Sequence, residues 1–491
     1  MSLLDLPEPS STEVSFLRRR SASAPSLESF TLALKTVTPI LGGGVIARSP
    51  ELPSVDIIRV PTLRGHLRFW WRALYGHDFV ARGSAGAEEL SLRERQLWGG
   101  MGRAGKVLNE DAKRAHRSQV EIRVLDVRPA GEDTGKIGLG TPPAYALWPA
   151  RNKGKQDDIP RWSPGLRFTL EVIAPPGEPM AQVRNALRAW ILFGGYGSRS
   201  RRGCGSMDLE SRDPKLRAQW LPSESSRESL QRVLGGLPLF TTSPQGPPCD
   251  MATLQGAYLY RASANARVSN GSDAWTYALG WLRDFRQGTE RWGEMRPARN
   301  PSEKGRDGRS NWPEADKIRR FARPSLRDVR GMASGKAYPE EHAPRPEHSA
   351  SPAWPRAGFG LPIVFHFQPE NRDEQPYSPQ EPAGCVLQWA RKIKNRWEPM
   401  DRLASPLIVK ALPLANGQFT PIALWLERGT PANGHVVMMQ NKRVVARSEV
   451  SFEKSFRASD DTPLFKPLQC ADNLRDAFFQ WLKETRKAQE A

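Results

Sequence analysis

The order of strand and helix signals between residues 30 and 210 constrains the fold more than any other feature of this sequence. Two segments have apolar residues at helical spacing, 63–75 and 179–193, and Thr62 and Gly76 are the predicted caps of the first. Strand signals precede, separate and follow these helices, at 30–37, 119–127, 166–174 and 206–210. This order is that of the split βαβ, ferredoxin-like unit, whose sheet is also the platform of RRM-class RNA-binding domains. The sequence therefore predicts an α+β fold.

The first predicted helix carries a basic ridge beside its apolar stripe. Arginines recur at every fourth residue, at Arg64, Arg68 and Arg72, and no acidic residue lies between Asp56 and Asp78. Residues four apart share a helix face, so the ridge is either a solvated face or a surface that contacts an anion. The apolar stripe is predicted to face the core and consists of Leu63, Leu67, Trp70, Trp71 and Leu74.

A segment rich in glycine and arginine directly follows the second predicted helix. Residues 194–206 contain five glycines, three arginines and no acidic residue. Glycine lets the backbone come close to another group and exposes N–H groups that can face an anion, and guanidinium groups match the geometry of phosphate. The segment is therefore predicted to hold a polyanion. The alternative is a mobile hairpin tip whose arginines only keep it soluble.

The charge of the chain indicates which polyanion this is. The 491 residues include 72 Lys and Arg against 53 Asp and Glu, for a formal charge of +19. A surplus of this size typically means nucleic acid. No apolar run approaches the roughly 18–20 residues of a membrane-spanning helix and no signal peptide is visible, so we expect a cytoplasmic protein without a membrane partner. The cysteines are too far apart for a disulfide framework or a zinc site, and they are Cys204, Cys249, Cys385 and Cys470.

A chain of 491 residues is expected to hold two domains, because single cores seldom grow past about 250–300 residues. Stretches rich in Ser and Pro between residues 213 and 250 place the seam there. We predict a flexible leader over 1–26, a first domain over 27–215, a linker over 216–250 and a second domain over 251–491. Long loops are predicted at 286–312, 329–358 and 368–383.

Several motifs together resemble the RAMP superfamily of CRISPR proteins. They are TPILGG at 38–43, VPTLRGHLRFWWRAL at 60–74, GGYGSRSRRGCGS at 194–206, GRSNWPEAD at 308–316, FGLPI at 359–363 and RLASPL at 402–407. The LRFWWRAL string and the glycine-rich segment are similar to one branch in particular, the largest RAMP subunit of type III-B effector complexes. The motifs occur in both halves of the chain but cover a minority of its positions.

The resemblance implies two tandem ferredoxin-like domains with long inserted loops, in a subunit that is not an enzyme. Such a subunit binds the 3′ region of the guide RNA and caps the RAMP filament of an antiviral ribonucleoprotein. The implied partners are the guide RNA and other RAMP subunits, and contact with target RNA is left open. Carried over by position, the RNA-binding residues are Arg64, Arg68, Arg72, Gly194, Gly195, Gly197, Ser198, Arg199, Ser200, Arg201, Arg202 and Gly203.

No motif for catalysis, a metal or a cofactor stands out in the sequence. Metal-dependent cleavage needs clustered carboxylates, and neither a Walker A sequence nor a dinucleotide fingerprint is present. More than half of the chain follows the glycine-rich segment, whereas this segment lies near the C-terminus of the compact guide-processing nuclease of the superfamily. We therefore predict no enzyme activity, no metal and no cofactor. Two alternatives stay open: a RAMP-type endoribonuclease acting on guide or target RNA, with His66 or an aspartate as its reactive group, and a general RNA chaperone.

Overall fold

The computed structural model describes residues 26–42, 49, 51–53, 57–102, 110–138, 141–151, 158–241, 251–263, 268–287, 312, 314–322, 354–365, 384–394, 396–429, 434–440, 443–447 and 473–491. Nearly all of the predicted leader lies outside these residues. So do most of the three predicted loops and the last nine residues of the predicted linker.

The first unit, residues 26–241, is built on a four-stranded antiparallel sheet. The strands of this sheet are β1 (Glu28–Thr36), β2 (Glu121–Arg128), β5 (Arg167–Ala174) and β6 (Met207–Leu209). A separate two-stranded sheet consists of β3 (Glu132–Asp133) and β4 (Arg161–Trp162). Its helices are α1 (Val60–Tyr75), α2 (His77–Val80), α3 (Gly83–Trp98), α4 (Pro142–Leu147), α5 (Glu178–Phe193), α6 (Pro214–Trp220) and α7 (Arg227–Val233). The strands of the four-stranded sheet lie in the order β2-β5-β1-β6, which is the strand order of a split βαβ unit.

Helix α1 begins three residues before its predicted start. Proline is favoured in the first turn of a helix, and Pro61 lies in the first turn of α1. The N-cap is Arg59, whose side chain makes no capping hydrogen bond. The predicted N-cap, Thr62, is therefore wrong and lies inside the helix. The predicted C-cap is confirmed, because the N–H of Gly76 donates to the Arg72 carbonyl at 2.8 Å. Helices α2 and α3, which follow directly, were not expected from the sequence.

The second unit, residues 251–491, contains another four-stranded antiparallel sheet with the same strand order. Its strands are β7 (Thr253–Arg261), β11 (Leu407–Pro413), β12 (Phe419–Glu427) and β15 (Gln489–Glu490), and its helices are α8 (Gly271–Gln287), α9 (Glu314–Ala322) and α10 (Leu474–Arg486). The order β11-β12-β7-β15 puts the first strand of the unit between the third and the fourth, as in the first sheet.

A five-stranded antiparallel sheet is inserted into the second unit. It consists of β8 (Ile363–Phe365), β9 (Cys385–Ile393), β10 (Arg396–Pro399), β13 (Gly434–Gln440) and β14 (Arg443–Arg447). The first three strands precede β11 in the chain, and the last two follow β12. Side chains such as Trp354, Leu387 and Val436 form its own small core. The sequence predicted inserted loops in this part of the chain and did not predict the sheet.

Two large hydrophobic cores separate the layers of the molecule. The first includes Leu34 of the first sheet, Trp190 of α5 and Ile408 of β11. The second includes Val409 of β11 and Trp275 of α8. Because successive residues of a strand point to opposite faces, β11 contributes to both cores. The layers are therefore sheet, helices, sheet, helices, and the predicted α+β class is confirmed.

The described part of the predicted linker is folded. It contains most of α6 and all of α7, and Trp220, Leu230 and Leu234 pack in the first core. Residues 216–241 thus add to the first unit, while the predicted domain boundaries stay predictions.

A buried ion pair on α6 fastens the first unit to the second. Arg217 binds Asp208 of β6 at 2.9 Å, and both side chains are buried. The same guanidinium donates to the carbonyl oxygens of Leu414 and Ala415, each at 2.9 Å, in the second unit. One arginine therefore connects β6 with the turn after β11.

Replacing Arg217 by methionine is expected to lower the free energy of unfolding by about 3 kcal/mol. The buried Asp208 carboxylate would lose its close partner and, among the described residues, keep only the ion pair with Lys35, at 4.0 Å. Urea unfolding measures the loss. The matched control is Arg123→Met, which breaks an exposed pair with Glu171 (3.0 Å) and should cost less than about 1 kcal/mol. Equal losses for the two variants would contradict the buried role of Arg217.

Among the described residues, no helix has the length and apolar character needed to cross a membrane.

Candidate nucleic-acid interface

The glycine-rich segment, Gly194–Ser206, joins α5 to β6 at the junction between the two units. The indole N–H of Trp275, near the start of α8, donates to the Arg202 carbonyl at 2.6 Å. The Thr38 hydroxyl donates to the Gly203 carbonyl at 2.6 Å. A segment held from both units in this way is part of the packed structure, which disfavours the alternative of a mobile hairpin tip.

Close packing explains the glycines of this segment. A Cβ on Gly205 would come within 2.0 Å of the Tyr196 carbonyl oxygen, and one on Gly203 within 2.4 Å of the Trp275 ring. Both residues also have positive φ, +64° and +78°, where side chains are strained. The glycines therefore let the segment fold on itself and against α8.

Several backbone N–H groups of the segment donate within the protein. The N–H of Tyr196 donates to Gly205 at 3.0 Å, that of Ser198 to Leu41 at 2.7 Å and that of Gly205 to Pro39 at 2.8 Å. For these residues the expectation that glycine-rich backbone exposes its N–H groups to an anion is wrong, because carbonyl oxygens of the segment itself and of residues 39 and 41 accept them.

Two arginines of the segment reach into the second unit. Arg202 is only 7% exposed and donates to the Leu407 carbonyl at 3.1 Å, while Arg201 donates to the Ser405 carbonyl. Arg201 also lies over the ring of Phe69 on α1, 5.5 Å from its centroid. Burial lowers the pKa of each guanidinium to about 10, so both remain charged at neutral pH. The Arg202 side chain joins the units, and its contact with RNA stays a prediction.

A buried lysine completes the junction from the other side. Lys410 of β11 donates to the carbonyl oxygens of Ile191 at 2.9 Å and Gly194 at 2.8 Å, at the C-terminal end of α5. These carbonyls have no partner in the next turn of the helix. Burial lowers the pKa of Lys410 from 10.5 to about 7.

The arginine ridge of α1 has partners that are remote in sequence. Arg68 binds Glu94 of α3 at 2.7 Å, and Arg72 binds the same carboxylate oxygen. Arg64 donates to the carbonyl oxygens of Trp98 and Val120, each at 3.3 Å. The ridge therefore lies against α3 and carries less free positive charge than its sequence indicates.

Positive charge is concentrated instead around Arg199, which is exposed. Partial loss of solvent lowers the pKa of Arg199. The charges of Tyr145 and Cys204 raise this pKa, and those of Arg286 and Arg402 lower it. Burial raises the pKa of the nearby Tyr145 phenol, but the charges of Arg286, Arg202 and Arg356 outweigh it, so that this pKa lies below its ordinary value. These residues form an arginine cluster, defined as Arg199, Arg201, Arg202, Arg286 and Arg402.

No carboxylate of the described ranges forms an ion pair with any member of the arginine cluster. Elsewhere arginines such as Arg68 and Arg217 have acidic partners. Sequence reasoning missed Arg286 and Arg402 as site residues, because they lie far from the glycine-rich segment along the chain. The RLASPL motif at 402–407 contained one of them, but nothing in the motif indicated that its charge acts on Arg199.

The predicted RNA-binding residues fall into three classes of exposure. Two are exposed, Ser198 and Arg199. Six are half-buried, Arg64, Arg68, Arg72, Gly197, Ser200 and Arg201. Four are buried, Gly194, Gly195, Arg202 and Gly203. Phe69 brings α1 into contact with Arg201, so the two predicted elements meet, and the role of each residue in RNA binding stays a prediction.

Within the described part of the chain, no group of three or more His, Cys, Asp or Glu could hold a metal ion.

Comparison with known proteins shows which family the first unit resembles. Residues 33–208 match the model of the RAMP superfamily, which confirms the predicted resemblance. This range runs from β1 to β6 and includes both predicted RNA-binding elements.

Part of the chain is also similar to a Cmr1 protein. It is 27% identical over 215 residues to the CRISPR system Cmr subunit Cmr1-1 of Pyrococcus furiosus, covering 42% of this chain and 56% of that protein. The match thus spans little more than half the length of that relative.

Two solved structures are also similar. The crystal structure of Cmr1 from Pyrococcus furiosus in its apo form has a TM-score of 0.37 and 17% identity, covering 86% of this chain and 94% of that one. A chain of the type III-B Cmr-beta complex, bound to cognate target RNA and AMPPnP in the presence of ssDNA, has a TM-score of 0.36 and 11% identity, covering 82% of this chain and 96% of that one.

Proposed function

We propose that this protein is a Cmr1-like RAMP subunit of a type III-B CRISPR ribonucleoprotein. In this role it holds the 3′ region of the guide RNA, caps the filament of RAMP subunits and catalyses no reaction itself. The two units are tandem ferredoxin-like RAMP domains, a proposal that rests on their common strand order. The match of residues 33–208 to the superfamily supports the class of protein.

The arginine cluster is the observation that carries the binding role. Guanidinium groups remain charged in proteins and present forked donors that fit phosphate oxygens. Like charges held together without carboxylates repel each other, and a bound phosphate chain relieves that repulsion. The net charge of +19 adds a long-range attraction for the same polyanion.

Recovery of the protein from its native host, followed by sequencing of the bound RNA, tests this proposal. The expected result is a population of repeat-tagged guide RNAs together with other RAMP subunits. A mixed RNA population without RAMP partners would indicate a general RNA chaperone and contradict the proposal. Cleavage of guide or target RNA by the purified protein, abolished by His66→Ala, would indicate the endoribonuclease instead.

The double variant Arg199→Ala/Arg402→Ala is expected to bind RNA more weakly and with a smaller salt dependence than the native protein. Each lost phosphate contact on a single strand lowers the slope of log K against log salt by about 0.7. Titrations at several salt concentrations measure the slope.

The control for this variant removes two arginine charges from another surface. Arg82 and Arg93 both pair with Glu89, at 3.0 and 2.9 Å, so Arg82→Ala/Arg93→Ala gives the same change in net charge. An unchanged slope in the Arg199/Arg402 variant, or an equal change in the control, would mean that the arginine cluster does not hold the phosphate chain.

A further inference from the structure

A cavity of about 250 Å³ lies where the glycine-rich segment meets α1, α5 and β11. The cavity is not part of the arginine cluster, but it shares one residue with it. Half of its lining residues are aromatic, and they are His66, Phe69, Trp70, Trp190 and Phe193, while Arg201 is the only charged residue of the described lining.

The volume of the cavity limits what it can hold. Sites for drug-sized ligands usually have about 300–1,000 Å³. A cavity of about 250 Å³ is smaller than these, so it suits one planar ring system better than a complete nucleotide with its sugar and phosphate. The sugar and phosphate of a ligand would then remain outside, on the side of Arg201.

The wall of the cavity offers the contacts that unstacked bases use. Aromatic rings and guanidinium planes are the surfaces on which proteins stack single-stranded bases. Phe69 and Arg201 together supply both kinds of surface, since the guanidinium lies 5.5 Å from the ring centroid. Phe69 and Arg201 are each half-buried, so they are reachable from solvent.

One of the lining residues, His66, has a ring nitrogen without a hydrogen-bond partner in the described part of the chain. Nδ1 of His66 is buried and has no hydrogen-bond partner among the residues that the structure describes. Burial lowers the pKa of His66, so its ring is neutral at pH 7 and has one nitrogen that donates and one that accepts. The neutral ring of His66 lines the cavity and can meet the polar edge of a base.

We propose that this cavity takes one unstacked base of the RNA whose phosphates lie along the arginine cluster. The base lies against Phe69, its edge meets His66, and Arg201 bridges from the ring to the phosphate chain. This inference rests on the proposed RNA-binding function. The proposed site would bind a base, beside a surface that otherwise contacts phosphates.

The experiment compares two fluorescent ligands on the full-length protein. One is an oligouridylate of about twelve nucleotides, and the other is a ribose-phosphate chain of the same length without bases. The native protein is expected to bind the oligouridylate about 10-fold more tightly, because stacking one base contributes about as much as a tenfold change in affinity. Phe69→Ala is expected to abolish this preference and leave binding of the abasic chain unchanged.

Phe79→Ala is the matched control. Phe79 is also half-buried and has arginines over its ring, Arg82 at 5.0 Å and Arg93 at 5.1 Å, but it does not line this cavity. The preference for bases is expected to persist in this variant. If Phe69→Ala fails to fold, Phe69→Leu keeps the bulk of the side chain and removes the aromatic face.

The outcomes separate this inference from the function on which it rests. Equal binding of both ligands by the native protein overturns the base site and leaves the phosphate-binding role intact. A preference for oligouridylate that survives in Phe69→Ala also overturns it, because the bases then stack elsewhere. Binding of neither ligand overturns both proposals.

Discussion

A Gly205→Ala variant is expected to lose on the order of 5 kcal/mol of unfolding free energy, a large part of the stability of an ordinary domain. The new Cβ would lie 2.0 Å from the carbonyl oxygen and 2.8 Å from the nitrogen of Tyr196, so the backbone must move. Movement breaks two bonds, since the carbonyl of Gly205 accepts from Tyr196 at 3.0 Å and its N–H donates to Pro39 at 2.8 Å.

A second glycine separates the clash from the effect of backbone conformation. Gly236 has φ +73°, similar to Gly205, but a Cβ there would meet nothing within 4 Å. Gly236→Ala should therefore cost only the strain of a left-handed residue, about 1 kcal/mol. Urea unfolding of the two variants and the native protein gives the comparison. Similar losses for both would mean that the glycine-rich segment tolerates a side chain at residue 205.

The glycines of the segment have a different role from the one that the sequence predicts. The sequence indicated that they expose backbone to a polyanion, since glycine-rich segments next to arginines often do so. In the structure they pack against Tyr196 and Trp275, and the arginines between them point toward the second unit and the surface. Glycine and arginine thus differ in structure here: the glycines shape the segment, while Arg199 is exposed and its contact with RNA stays a prediction.

Features that depend on neighbours in sequence were predictable. The apolar stripe of α1 was read from spacing alone, and Leu63, Leu67 and Trp71 are all buried. The strand and helix order of the first unit followed from the same local patterns, because helical and strand periods differ. The position of the glycine-rich segment directly after α5 followed as well.

Features that depend on remote segments were not predictable. Glu94 of α3 forms ion pairs with both Arg68 and Arg72, and no residue near these arginines in the sequence indicates this pairing. Arg286 and Arg402 join Arg199 only when the second unit folds against the first. The inserted sheet combines strands from both sides of β11 and β12, so no single stretch carried its signal. The charge balance of the site is therefore a tertiary property, whereas its scaffold is a local one.

Relative to a Lys410→Met variant, the native protein is expected to gain about 5 kcal/mol of unfolding free energy between pH 7 and pH 10.5. Lys410 is fully buried in the first core, and burial lowers its pKa from 10.5 to about 7. Its partners are two carbonyl dipoles at the end of α5, which favour a cation by much less than a carboxylate would. Desolvation therefore determines the direction in which the pKa of Lys410 moves.

The sign of this effect follows from proton binding. Between pH 7 and 10.5 the unfolded chain keeps the proton on Lys410, while the folded chain has released it. Stability rises with pH wherever the unfolded state binds more protons. Below pH 7 both states carry the charge, so the contribution is constant and at its lowest. Above pH 10.5 neither state carries the charge, and the contribution of Lys410 to the free energy of unfolding is constant again.

Urea unfolding of the native protein and of Lys410→Met at several pH values tests this, because the difference between them cancels the titration of all other groups. Lys392→Met, at an exposed position of β9, is the control that removes a surface lysine. A native-minus-variant difference that stays flat from pH 7 to pH 10 would mean that Lys410 keeps its ordinary pKa. A rising difference means instead that the two units dock through an amine whose pKa lies near 7, so the junction beside the arginine cluster weakens as the pH falls from 10.5 to 7.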